Sequence, residues 1–132
     1  MGRYPICLVG TVDSPWARLK RPGLAALHRQ PVVMLGEDYA LTRRLREAFD
    51  AAGVQPDVIA QSGQWDFLLS MAMAGMGSAL LPEPLLARLQ PTESMVIRPL
   101  QARDLAWTVG HIWVPQRYMS HAARAWLALC AR

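Results

Sequence analysis

Cysteine is scarce in this chain of 132 residues. Cys7 and Cys130 are the only two, they lie far apart, and neither has a neighbour to pair with. A disulfide-stapled scaffold is therefore excluded, and two buried free thiols in a reducing compartment are expected. The three histidines, His28, His111 and His121, show none of the close His, Cys and carboxylate spacings of a zinc site, so no metal or other cofactor is expected. No apolar run is long enough to span a bilayer, and no charged head precedes an apolar stretch at the amino terminus. A soluble, non-exported, cytoplasmic chain without a membrane partner is the expectation. Catalytic signatures are missing as well: there is no phosphate loop with its lysine, no G-x-S-x-G elbow and no H-E-x-x-H. The G-x-G at Gly75 follows a helical stretch instead of opening one, which makes it punctuation and not a dinucleotide fingerprint. No acid, base and nucleophile converge, and the chain reads as a non-enzyme.

Charge is sparse at 18% of residues, against 52% apolar, which suits one compact domain with a sizeable core. The net charge of +4 and pI near 9.7 come from basic residues scattered along the chain. Such dispersion makes a solvated basic face and not a nucleic-acid surface, so no sequence-specific DNA binding is expected.

What is present centres on Gln61 to Pro82. A polar turn, Gln61 to Gln64, opens a helix from Trp65 to Ala74 whose only polar members are Asp66 and Ser70. A helix apolar on nearly every face is expected to lie against a sheet with little water around it. Gly75 and Gly77 stop it with residues that tolerate positive φ, and Ser78 to Leu81 runs into a short apolar strand that Pro82 ends.

Around this stretch the chain reads in order as strands and helices. Ile6 to Val9 is a buried strand with nothing before it. Thr11 to Arg21 is a loop in which Trp16 reads as a lid over the core, and one or two helical turns precede Pro31. Val32 to Leu35 is a strand. Leu41, Leu45, Ala48, Phe49 and Ala52 then mark an amphipathic helix closed by Gly53, with Val54 placed for a Schellman contact. Val58 to Ala60 feeds the central turn. After Pro82 come a short helix with Pro84 in its first turn and a strand from Met95 to Leu100. A long strand follows over Trp107 to Val114, apolar on both faces, and last a helix capped by Ser120. The alternation predicts an α/β, Rossmann-like fold with a largely parallel sheet flanked by helices.

Two helix-opening turns, Gly36 to Thr42 and Gln61 to Trp65, fall at the same edge of such a sheet. That edge is where open α/β sheets hold ligands, and exposed N–H groups there suit a carboxylate or another polar head. The candidate binding residues are Gly36, Glu37, Tyr39, Ser62, Gly63, Gln64 and Trp65. Ser62 also reads as an N-cap. Glu37 and Asp38 read as complements to the following helix dipole, since adjacent side chains diverge and no catalytic partner stands beside them.

The order of strand, QSGQW turn, apolar helix and AGMGSALLPEPLL resembles the effector-binding domain of LysR-type bacterial transcriptional regulators. PWARLKRPGLAALHRQPVVML, IRPL, the WTVGHIW strand and RYMSHAARAW extend the resemblance over nearly the whole chain. Ser14 stands where that family usually has histidine. The resemblance implies half to two-thirds of a type 2 periplasmic-binding-protein fold. Residues 1–132 would be a partial effector domain, with about 11–100 forming the second subdomain and about 101–132 the return strand and helix of the first. The family's DNA-reading winged helix-turn-helix is not among these residues. The implied function is sensing of a small, anionic metabolite. The alternative is an interaction module or a remnant that self-associates, as a homodimer or larger, through its carboxyl-terminal strand and helix.

Overall fold

The computed structural model describes residues 2–131. In chain order the elements are β1 (Gly2–Tyr4), β2 (Ile6–Thr11), a 3-10 turn (Leu24–Leu27), β3 (Pro31–Leu35), α1 (Ala40–Ala52), β4 (Asp57–Ser62) and α2 (Trp65–Met73). They continue with β5 (Ser78–Pro82), α3 (Glu83–Leu86), β6 (Met95–Pro99), β7 (Trp107–Val109) and α4 (His121–Cys130). Five strands make one sheet in the order β4-β3-β5-β2-β6, and β1 pairs with β7 in a separate ribbon.

The α/β class holds, and the sheet is mixed rather than largely parallel. β3 runs parallel to β4 and β5, whereas β2 runs antiparallel to β5 and β6. Parallel neighbours need a crossover, and only β3-α1-β4 and β4-α2-β5 supply one. These two crossovers travel in opposite directions across the sheet. Their common right-handedness therefore places α1 and α2 on opposite faces. Strands covered on both sides need continuous apolar runs, and the core is built from them: Leu8 and Val9, Val32 to Met34, and Leu80 and Leu81 are all fully buried. Trp16 is the expected lid, sunk to 1% exposure, with its indole Nε1 donating to Ser78 Oγ at 2.7 Å. The close of α1 is also as read, with Gly53 at φ 67° and Val54 N donating to Phe49 O at 2.9 Å.

Several expectations are corrected. A strand does precede Ile6, because β1 finds a partner in β7 through Gly2–Val109, Arg3–Thr108 and Tyr4–Trp107. The long strand to Val114 stops at Val109 for the matching reason. Alternating apolar residues form a strand only where a partner lies alongside, and β1 offers three residues. α2 is not buried all round: Leu68 and Ala72 are, but Asp66, Phe67, Ser70 and Ala74 face outward, since the helix lies on the outside of a single sheet. Gly75 takes φ 75°, while Gly77 serves a different need. A Cβ at Gly77 would lie 2.9 Å from the Pro31 carbonyl oxygen, so a bare residue is what lets the chain enter β5 beside β3.

Both cysteines are free, Cys7 buried and Cys130 half-buried. Burial, together with the Glu83 carboxylate, pushes the Cys7 thiol up to about 11. Because the thiolate is the reactive form, a thiol reagent at neutral pH is expected to titrate one cysteine in the native protein and two in denaturant. Fast native reaction of both would contradict the burial of Cys7.

Candidate functional site

The carboxyl ends of β3 and β4 lie side by side, and each leads into a helix through one of the two turns. Thr42, fully buried, donates its hydroxyl to Leu35 O at 2.9 Å and fastens α1 to the end of β3. From the neighbouring strand, Gln61 Nε2 donates to Leu35 O at 3.2 Å and to Glu37 Oε1 at 3.0 Å. Arg46, one face of α1 away, donates Nε to the same Glu37 oxygen at 2.7 Å. Tyr39 completes the closure by donating its hydroxyl to Gly63 O at 3.1 Å. The two turns are thus clasped at two points.

Glu37 has a different partner from the helix dipole expected for it. The Arg46 guanidinium and then the Gln61 amide beside it hold its carboxyl below the usual carboxylate range. A carboxyl depressed on folding makes its tie above its ordinary pKa and loses it as pH falls through the folded value, so the clasp is intact at neutral pH. Ser62 is also reassigned. Its Oγ accepts from Gln64 N at 3.1 Å within the turn, and the N-cap position of α2 is Gln64, which makes no side-chain cap bond. Gly36, Ser62 and Trp65 are half-buried, and Glu37, Tyr39, Gly63 and Gln64 are exposed. The structure therefore brings Glu37 and Tyr39 of one turn against Gly63 of the other, while Gln64 and Trp65 open α2 beside them.

Behind Tyr39 lies a cavity of about 160 Å³, walled by Leu35, Tyr39 and Leu41 on one side and by Ala106, Trp107 and Thr108 on the other, with Arg44 across it. Residues 1–132 match the family described as LysR substrate binding domain. The chain belongs to that family. It is 38% identical over 104 residues to an uncharacterized HTH-type transcriptional regulator, YwbI, of Bacillus subtilis (strain 168), a match over 79% of this chain and 34% of that one. The LysR domain here thus spans about a third of that regulator's length. Among solved structures, the CcmR regulatory domain of Synechocystis PCC6803 in complex with 2-PG matches with a TM-score of 0.79, at 15% identity, over 96% of this chain and 61% of that one. The BenM effector binding domain with its effector benzoate matches with a TM-score of 0.67, at 16% identity, over 80% and 48%. At such identities the likeness carries the fold, the periplasmic-binding-protein-like α/β arrangement.

The matched family is a binding domain and not an enzyme, and it is the Bacillus subtilis relative that is described as a transcriptional regulator. Among the described residues no group of His, Cys, Asp and Glu could hold a metal ion, and no helix is long and apolar enough to cross a membrane. In this LysR domain, sequence reasoning missed Arg44, Arg46, Trp107 and Thr108. The two arginines sit on the polar side of α1, where they read as solvated charge, and the other two come from a segment more than sixty residues away. No local pattern could have joined them.

Proposed function

We propose that this LysR domain senses a small, anionic metabolite in the cytoplasm, as the effector module of a transcriptional regulator. The ligand would sit on the clasped turns, contacted by Gly36, Glu37, Tyr39, Ser62, Gly63, Gln64 and Trp65. The observation that carries this reading is the double closure, Tyr39 to Gly63 and Gln61 to Glu37, which brings the openings of two helices together beside a cavity. Helix openings leave first-turn N–H groups without intrahelical partners, and they favour negative charge. The Glu37 carboxylate does not oppose that preference, since Arg46 offsets it. The complexes of BenM with benzoate and of CcmR with 2-PG support this reading.

A panel of small carboxylates, benzoate among them, tests the proposal by thermal shift. A ligand at a hundredfold excess over its Kd stabilises by about 2.7 kcal/mol, a shift of several degrees for a domain of this size. Gln64→Ala or Trp65→Ala is expected to abolish the shift and leave the circular dichroism spectrum nearly unchanged. Ser62→Ala removes only an exposed turn bond, worth about 0.5–1.5 kcal/mol. A shift that survives all three changes would place the site elsewhere.

A second reading has its own observation. No residue of α4 is buried, which favours self-association of the carboxyl-terminal segment as a homodimer or larger.

A further inference from the structure

The segment joining β6 to β7 returns to α1, and one side chain meets it there. Its two ends are pinned independently. Leu100 N donates to Ile6 O at 2.8 Å and Gln101 N to Pro22 O at 2.8 Å, while Trp107 enters the ribbon opposite Tyr4. Between these anchors, residues 102–106 make no backbone–backbone hydrogen bond with another described residue. Arg44 supplies what is missing. Its guanidinium donates from Nη2 to Asp104 O at 2.7 Å and from Nη1 to Ala106 O at 3.4 Å.

The backbone at this point is in an unfavourable conformation. Asp104 has φ 58° and, with Arg29, is one of two described residues other than glycine at positive φ. A left-handed residue persists where its surroundings hold it. The Asp104 side chain is no such restraint, being 94% exposed and only 4.0 Å from Arg3 at its closest. The fork on the two carbonyls is the restraint, and a planar guanidinium suits two acceptors as a lysine ammonium does not. Beyond the fork, Ala106 is buried and the Trp107 ring tilts against Tyr4 at 6.0 Å. Both Ala106 and Trp107 wall the cavity whose other side is Tyr39.

We infer that Arg44 is a positioning residue, a latch by which the effector turn at the start of α1 sets the placement of Trp107 and the β1–β7 ribbon. The ligand-linked part of this inference rests on the effector site proposed above. A ligand that touches both cavity walls favours the latched arrangement, and the latched arrangement in return favours that ligand, because coupling between two sites is reciprocal.

Amide hydrogen exchange on the full chain tests it. Without ligand, Arg44→Ala is expected to speed exchange at Trp107 to Val109 about tenfold or more, while amides in β3 and β5 stay within about twofold of the wild type. Arg44→Lys, able to reach one carbonyl at a time, is expected to fall between the two. With 20 mM benzoate as probe, on the order of a weak ligand's Kd, the wild type is expected to gain protection both at Gly63 to Trp65 and at Trp107 to Val109. Arg44→Ala is expected to keep the first gain and lose the second, a split that a merely structural role would not produce. Unchanged exchange at Trp107 to Val109 in Arg44→Ala, or an equal rise throughout β3 and β5, overturns the latch. Benzoate protection of both segments in Arg44→Ala overturns it as well. Should benzoate protect neither segment of the wild type, the effector site loses this support, and the ligand-free comparison alone decides on the latch.

Discussion

Trp16→Ala is expected to unfold a large part of the population at 37 °C. The indole is 1% exposed and closes the sheet from a loop, so truncation removes a full aromatic payload and leaves a cavity that only a loop could fill. Changes of this kind cost about 3–5 kcal/mol, a large share of the roughly 5–15 kcal/mol that a domain of this size has in total. There is a second contribution, because Ser78 is buried and its hydroxyl accepts from the lost indole at 2.7 Å. Trp16→Phe separates the two. It keeps most of the apolar contact and leaves Ser78 without its donor, for about 1–3 kcal/mol. Urea denaturation of Trp16→Ala, and of Trp16→Phe, Ser78→Ala and their double variant as a cycle with the wild type, measures the division. Equal stability of Trp16→Ala and the wild type would mean that the lid is not part of the cooperative unit.

The second large effect concerns association. Ile112 is 100% exposed, Tyr118 89% and Leu129 66%, and Trp113, Val114 and Trp126 are each more than half exposed. So many large apolar side chains within 18 successive positions is far from the scattered exposure of an ordinary monomer surface. Among the described residues these side chains make one side-chain hydrogen bond, a weak one from Trp126 Nε1 to His111 Nδ1 at 3.5 Å. A homodimer or larger assembly is expected at micromolar concentration, with Trp113 and Trp126 at the contact. Trp107, by contrast, is half-buried in the ribbon against Tyr4 and lies outside that contact. Two aromatic anchors of about 2 kcal/mol each predict that Trp113→Asp with Trp126→Asp weakens association by about a hundredfold or more. Light scattering of the wild type and the double variant measures it. A stable wild-type monomer at tens of micromolar, on the scale where weak interfaces already assemble, would leave the carboxyl-terminal segment without this role.

The amino-acid sequence determined the local elements, because each rests on interactions within a few residues. Leu41, Leu45 and Phe49 recur at helical spacing, Gly53 and Val54 close α1, Ser120 caps α4 with a bond from Ala123 N, and unbroken apolar runs mark the strands that are covered on both faces. It also determined that the turns at Gly36 and Gln61 lie at one sheet edge, since both follow strands joined by crossovers. Tertiary structure alone decided the rest. Whether Trp107 to Val114 forms a long strand or a short one depends on the three residues β1 can offer it, and alternation says nothing about a partner. Whether α2 is enclosed depends on how many layers cover it, which its composition does not report. Glu37 found Arg46 and Gln61, and Arg44 found the carbonyls of Asp104 and Ala106, because chain folding set those groups within hydrogen-bond distance; their side-chain types permitted the contacts, and only the path of the backbone selected them.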